Sequence, residues 1–250
     1  MASVEVTFSG PRADLRLNRP DVLNAMDMEV FDGLAAAADE IADSPATRVV
    51  VVTGEGRAFS AGIDVGAIGS IAGSTEETVA RAQAGFRKIA ALEMPVIASV
   101  QGFAFGAGLQ LALACDIRVI ARDAKLGLLE ANFGLIPDLI GSTRLPQIVG
   151  AGRAKKMIWL AERIDGAEAG RIGLAEVVVE AAALQEATDE LAGRLAEAPV
   201  TPVRQAKKLI DASASLSVND GMDAEAAAQL ACLSAPDFAD NLMSGLQKLS

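Results

Sequence analysis

Two carboxylates, Glu130 and Asp138, stand eight residues apart in Leu126-Gly127-Leu128-Leu129-Glu130-Ala131-Asn132-Phe133-Gly134-Leu135-Ile136-Pro137-Asp138, a largely apolar stretch. Burial there would raise both carboxyls and suit them to proton transfer near neutral pH; taken alone, the stretch reads as two solvent-facing acids. The chain has no histidine and no tyrosine, so no Ser-His or Cys-His nucleophile is available, and proton chemistry falls to carboxylates, lysine, cysteine or the backbone. Two glycine-punctuated segments add backbone donors. Gly54-Glu55-Gly56-Arg57-Ala58-Phe59-Ser60-Ala61-Gly62-Ile63-Asp64 follows an apolar strand; without Gly-Lys-Ser/Thr it is no P-loop, and alone it reads as a surface turn. Gly102-Phe103-Ala104-Phe105-Gly106-Ala107-Gly108 leads into a helix whose first amides favour developing negative charge, or simply allows close helix packing. It supplies too few glycines for a dinucleotide fingerprint.

The elements that position these segments follow from periodicity. Val4, Val6 and Phe8, then Ala13, Leu15 and Leu17, flank Ser9-Gly10-Pro11 and predict a strand pair. Val30, Phe31, Leu34, Ala38 and Ile41 form a helical face that stops near Ser44-Pro45, and Val49 to Thr53 is a buried strand. Ser74-Thr75-Glu76-Glu77 has a capping-box pattern and opens a helix with Val79, Ala82, Phe86 and Ile89 on its apolar side. Strands at Pro95–Val100 and Ile117–Ala121 bracket a helix over Leu109–Ala114. The strand-helix rhythm runs to Val179, and from Leu184 the chain reads as helical.

The composition excludes several classes. With 51% apolar residues in 250, a sizeable core forms, and no apolar run reaches the roughly 20 residues of a membrane span. With no signal peptide visible either, a soluble cytoplasmic protein is expected. A net charge of −11 argues against nucleic acid and anionic membranes as partners. Cys115 and Cys232 make neither a disulfide framework nor a zinc site and are expected to be small buried apolar residues; no metal is expected. Arg153-Lys155-Lys156 and Arg204-Lys207-Lys208 are candidate anion attractors or solvated helix faces.

In order and spacing, these segments resemble the crotonase, or enoyl-CoA hydratase/isomerase, family over nearly the whole chain. Leu17-Asn18-Arg19-Pro20 with Asn24-Ala25, Arg57 to Asp64, Pro95 to Asp116, Pro137 with Arg144-Leu145-Pro146, Gly150, Arg163-Ile164, Ala167 and Gly173-Leu174 carry the resemblance. It implies an α/β spiral of repeated strand-strand-helix units in residues 1–197. It also implies a C-terminal helical region in 198–250 that drives trimers or dimers of trimers. The implied substrate is an acyl-CoA thioester, with coenzyme A part of the substrate and no separate cofactor.

By the same resemblance, the N–H groups of Ile63 and Ala107 form an oxyanion hole. Arg19, Ala25, Ala61, Gly62, Asp64, Gly106 and Lys248 contact coenzyme A, with Ala61 and its neighbours holding the adenine and Arg19 and Lys248 the phosphates. Family hydratases use two glutamates, at positions matching Gln110 and Glu130 here. Glutamine can orient water but cannot exchange a proton at neutral pH. Asp138 matches an aspartate of some family isomerases. The expected activity is therefore a double-bond shift with Glu130 as principal base and Asp138 as assisting acid or alternate base. The alternatives are a hydratase using Glu130 with Gln110 placing water, and a non-catalytic acyl-CoA binding protein. Val65 to Thr78 is expected to help shape acyl selectivity.

Overall fold

The computed structural model describes residues 2–64, 66 and 75–247. The expected strand pair opens the fold: β1 (Val4–Ser9) pairs antiparallel with β2 (Arg12–Leu17), Val6 opposite Leu15. The helix α1 (Met28–Ala42) starts at Asp27, whose side chain accepts from the Val30 amide at 3.1 Å and so satisfies one free donor of the first turn. Its buried stripe of Val30, Phe31, Leu34, Ala38 and Ile41 is the one expected from spacing.

The central strands β3 (Val49–Gly54), β4 (Val96–Val100), β6 (Ile117–Ala121) and β9 (Val177–Val179) continue from β2 in parallel, giving a six-stranded sheet in the order β1-β2-β3-β4-β6-β9. Four consecutive fully buried residues, Val49 to Val52, mean that both sheet faces are covered, because successive side chains point to opposite sides. A second sheet of three short strands, β5 (Phe103–Phe105), β7 (Lys125–Gly127) and β8 (Ile164–Asp165), carries the segments around the site. Strand β5 lies inside what the sequence presented as a glycine-rich loop.

Two expectations shift on the helix α2 (Glu76–Ala90). Its cap is Thr75, which accepts from the Thr78 amide at 3.3 Å, one residue later than the capping-box reading centred on Ser74. Phe86 and Ile89 are buried, and Phe86 meets Phe31 of α1 with ring centroids 6.1 Å apart, but Val79 is exposed. The helix α3 (Ala107–Ala114) begins two residues earlier than expected and is buried throughout. Cys115 behind it is the small buried apolar residue expected, its thiol pushed up to about 12 chiefly by burial, whereas Cys232 is only half-buried.

Beyond β6 come α4 (Gly141–Val149), α5 (Ala151–Trp159) and α6 (Gly166–Arg171). From Leu184 the chain is helical as expected: α7 (Leu184–Glu197), α8 (Val200–Ala212), α9 (Val218–Leu233) and α10 (Phe238–Gln247). Helix α7 packs on β3, β4 and β6, its buried Thr188 hydroxyl bonded to Ser99 at 2.9 Å. Helices α9 and α10 instead leave Met222, Leu230, Leu233, Leu242, Met243 and Leu246 exposed. No helix among the described residues is long and apolar enough to cross a membrane.

Candidate active site

The two glycine-punctuated segments meet. The Ser60 amide donates to the Phe103 carbonyl at 2.9 Å and the Phe105 amide to the Ser60 carbonyl at 3.0 Å, lashing the first segment to β5, which runs straight into α3. Asn24 closes the first segment from beneath. It is buried, its amide donates to the carbonyls of Glu55 at 2.9 Å and Ala58 at 2.8 Å, and its carbonyl accepts the Ser60 hydroxyl at 2.8 Å. Sequence reasoning quoted Asn24 and Ser60 within motifs without seeing this clamp.

Gly62 shows why no side chain fits at the junction. Its φ is +99°, and a Cβ there would lie 2.7 Å from the Phe105 carbonyl oxygen and 3.7 Å from the Ala107 nitrogen. The Gly62 carbonyl accepts from Met26 at 2.7 Å and the Asp64 amide donates to Met26 at 2.8 Å, leaving the intervening Ile63 N–H without an acceptor among the described residues. The N–H of Ala107, first residue of α3, likewise has no acceptor among the described residues. Ala107 has no positive φ, so its Cβ is accommodated. Two uncommitted amides on adjoining segments, one at a helix N-terminus, form a place where negative charge on an oxygen would be stabilised.

Glu130 stands against the second segment. It opens a short 3-10 turn (Glu130–Phe133) after β7, and the Gly106 amide bonds to the Gly127 carbonyl at 2.9 Å, which ties the second segment to the approach to Glu130. Gly106, with φ +50°, would place a Cβ 3.3 Å from Glu130 Oε1, so its bareness admits the carboxylate. Glu130 is 8% exposed. Its carboxyl is raised above the usual carboxylate range, first by burial and also by the charge of Asp138, against the lowering effect of hydrogen bonds from its own backbone and from Gln110. Gln110 Nε2 donates to Glu130 Oε1 at 2.8 Å, while Oε2 is buried with no partner among the described residues. The Gln110 Oε1 accepts from the Leu139 and Gly141 amides at 2.7 and 3.0 Å. No sequence signal marked those two amides.

Asp138 differs from its expectation. It lies on an exposed loop rather than in the core, because only its neighbours Pro137 and Leu139 turn inward. Partial desolvation still raises its carboxyl. Its carbonyl accepts from Gln83 of α2 at 2.9 Å, and a cavity of about 400 Å³ beside it is lined by Phe86, Ile136, Pro137 and Ile140 with Arg87 at its edge.

The other expected residues fall along the first segment. Arg19 donates to the Ala25 carbonyl at 2.5 Å and pairs with Asp27 at 3.1 Å and Asp64 at 3.2 Å, bracing the segment; the Ala61 amide donates to Leu23 at 2.9 Å. Lys248, and residues 65 and 67–74 of the selectivity stretch, lie outside the described residues. The basic clusters are largely spent on other partners: Lys207 pairs with Asp116 at 2.6 Å, Arg204 with Glu93 at 3.3 Å and Lys156 with Glu162 at 2.9 Å, while Lys155 sits over the Trp159 ring. A larger cavity of about 920 Å³ is lined by Arg204 and Lys207 but by none of Ile63, Ala107, Gln110 and Glu130.

Residues 12–248 match the family described as enoyl-CoA hydratase/isomerase. The chain belongs to that family. It is 34% identical to the crotonyl-CoA hydratase of Syntrophomonas wolfei, over 94% of this chain and 92% of the relative. Among solved structures it is similar to the enoyl-CoA hydratase of Bacillus anthracis, with TM-score 0.91, 32% identity, and coverage of 98% of this chain and 96% of that one. It is also similar to a Thermobifida fusca protein in complex with acetoacetyl-CoA, with TM-score 0.88, 36% identity and coverage of 93% and 95%. The fold is thus the crotonase fold, and the chain is an enoyl-CoA hydratase/isomerase family enzyme acting on an acyl-CoA.

Proposed function

We propose that this enzyme shifts a double bond in an enoyl-CoA. Coenzyme A lies along Ala25, Ala61, Gly62, Asp64 and Gly106 with Arg19 at the edge of that path, and it is part of the substrate, so no separate cofactor enters the reaction. The thioester oxygen sits against the N–H groups of Ile63 and Ala107. Glu130 Oε2 removes a C2 proton from a 3-enoyl thioester, and the electron pair moves into the enolate, whose oxygen gains charge against those amides. The C3–C4 π electrons then take a proton at C4 as the C2–C3 double bond forms, giving the conjugated product with no net change in protons. Asp138 either returns that proton or assists its delivery.

The observation that carries this reading is that one buried carboxylate presents a single unpartnered oxygen, while its neighbour at position 110 is an amide engaged directly with it. Isomerisation needs one base; the paired-glutamate arrangement that holds water between two acids has no counterpart in a Gln110–Glu130 contact of 2.8 Å. The acyl chain extends toward the cavity beside Asp138, against its Phe86, Ile136, Pro137 and Ile140 side.

A second reading, hydration with Glu130 as acid and base, is favoured by the hydratase name of the Syntrophomonas relative. Purified protein given 3-hexenoyl-CoA and, separately, crotonyl-CoA distinguishes the two by absorbance and product mass. Conjugation of the first without hydration of the second supports the isomerase, hydration of the second alone overturns it, and tight acyl-CoA binding with no turnover of either supports a binding protein. Full activity in a Glu130→Gln, Asp138→Asn double variant contradicts both enzymatic readings.

The exposed apolar side chains of α9 and α10 are covered by further copies of the same chain, giving a homotrimer or a dimer of trimers. Light scattering of the native protein measures this directly.

A further inference from the structure

Ile140 has φ +79°, a left-handed conformation that crowds a β-branched side chain and that sequence alone gives no reason to expect. Its side chain packs against the core, which holds the turn in place despite the strain. The turn has one consequence at the site. The amides on either side of Ile140, those of Leu139 and Gly141, both point at one atom, Gln110 Oε1, at 2.7 and 3.0 Å. Gln110 is 1% exposed, so these are its carbonyl's partners in place of water.

A carboxamide has one accepting end and one donating end. With two donors fixed on its oxygen, Gln110 can only turn its NH2 toward Glu130, and Nε2 donates to Glu130 Oε1 at 2.8 Å. The flipped amide would set N–H against two N–H groups and C=O against a carboxylate, so its orientation follows from its partners. Glu130 Oε1 is thereby occupied, and Oε2 remains buried and bare.

We propose that Ile140 is a positioning residue: its left-handed turn aims two backbone amides at Gln110, and Gln110 in turn commits one Glu130 oxygen to hydrogen bonding and leaves Oε2 to exchange the proton. The inference rests on Glu130 being the acid/base proposed above. It gives Gln110 a role that needs neither a proton nor a water, and it gives a reason for tolerating strain beside an active site.

The readouts are the acid limb of kcat/KM against pH and the backbone amide signals of Leu139 and Gly141 in NMR spectra. Gln110→Met removes the donor that favours the charged carboxylate, so the limb moves up by about one pH unit, and both amide signals shift as their acceptor is lost. Ile140→Gly, which adopts left-handed φ without strain, leaves the limb in place. Ile140→Pro, with φ held near −65°, moves it as far as Gln110→Met does, and the two changes together move it no further.

A limb unmoved in Gln110→Met, or in a folded Ile140→Pro, overturns the positioning role, since a merely structural residue would change stability and not the titration. Where Ile140→Pro does not fold, Gln110→Met decides. A limb that persists in Glu130→Gln shows that the base is another group, a failure of the proposed function. The positioning role then stands or falls on the Leu139 and Gly141 amide signals in Gln110→Met.

Discussion

The unspent amides of Ile63 and Ala107 are held by backbone alone, whereas the carboxyl of Glu130 is held by another side chain. On the amide side no substitution short of proline removes the functional group. The donors persist as long as Gly62 lets the first segment approach β5, so the sequence protects them by sterics. On the carboxylate side every group is a side chain: Gln110, Glu130 and Asp138 each change the available proton chemistry by single substitutions. One scaffold can therefore keep thioester polarisation fixed while its reaction is retuned at three positions, which is how a family can hold hydratases and isomerases together.

Breaking the carboxylate side has the largest expected effect. Glu130→Gln should lower kcat/KM for the proposed conversion by about 10² to 10⁴-fold, the usual range for losing general acid/base catalysis, with substrate binding retained in a direct titration. Activity near wild type would remove Glu130 from the chemistry.

Next comes the amide side. Gly62→Ala forces a Cβ to 2.7 Å from the Phe105 carbonyl in a left-handed backbone, and the displaced loop should cost about 10² to 10³-fold in kcat, comparable to losing an oxyanion donor. Circular dichroism and a melting curve separate this from unfolding. Asp138→Asn should cost about tenfold or less, because Asp138 is exposed and its proton can be supplied by water. A loss as large as that of Glu130→Gln would make the two carboxylates equal partners.

The smallest effect distinguishes the sides by stability. Burial raises the Glu130 carboxyl in the folded state above its unfolded value, so the native state holds the extra proton and stability falls as pH rises through the interval between them. Glu130→Gln removes that cost. Its Tm at pH 8 should exceed wild type, and the gain should shrink as pH falls through the raised value. Equal melting at all pH values would mean that Glu130 bears no desolvation cost.

The strands and helices were legible because their signals are local. Val49 to Val52 is an unbroken β-branched run, as a doubly covered strand favours, and α1 ends at Ala42, close to the stop that Ser44-Pro45 marks. The meeting of the two glycine-punctuated segments was legible only through the family resemblance, since each alone reads as a turn. What escaped was set by tertiary context. The left-handed Ile140 goes with its packing against the core, and the exposure of Asp138 with which loop residues turn inward. The Gln110 partners Leu139 and Gly141 are backbone groups, which leave no trace in residue types.

Exchange of the C2 protons of a saturated thioester, butyryl-CoA, for deuterium in D2O tests enolate formation by Glu130 against the Ile63 and Ala107 amides, without requiring any particular product. The account predicts enzyme-dependent exchange at C2 that falls by about 10²-fold or more in Glu130→Gln. Exchange as fast in Glu130→Gln as in the wild-type enzyme would contradict it.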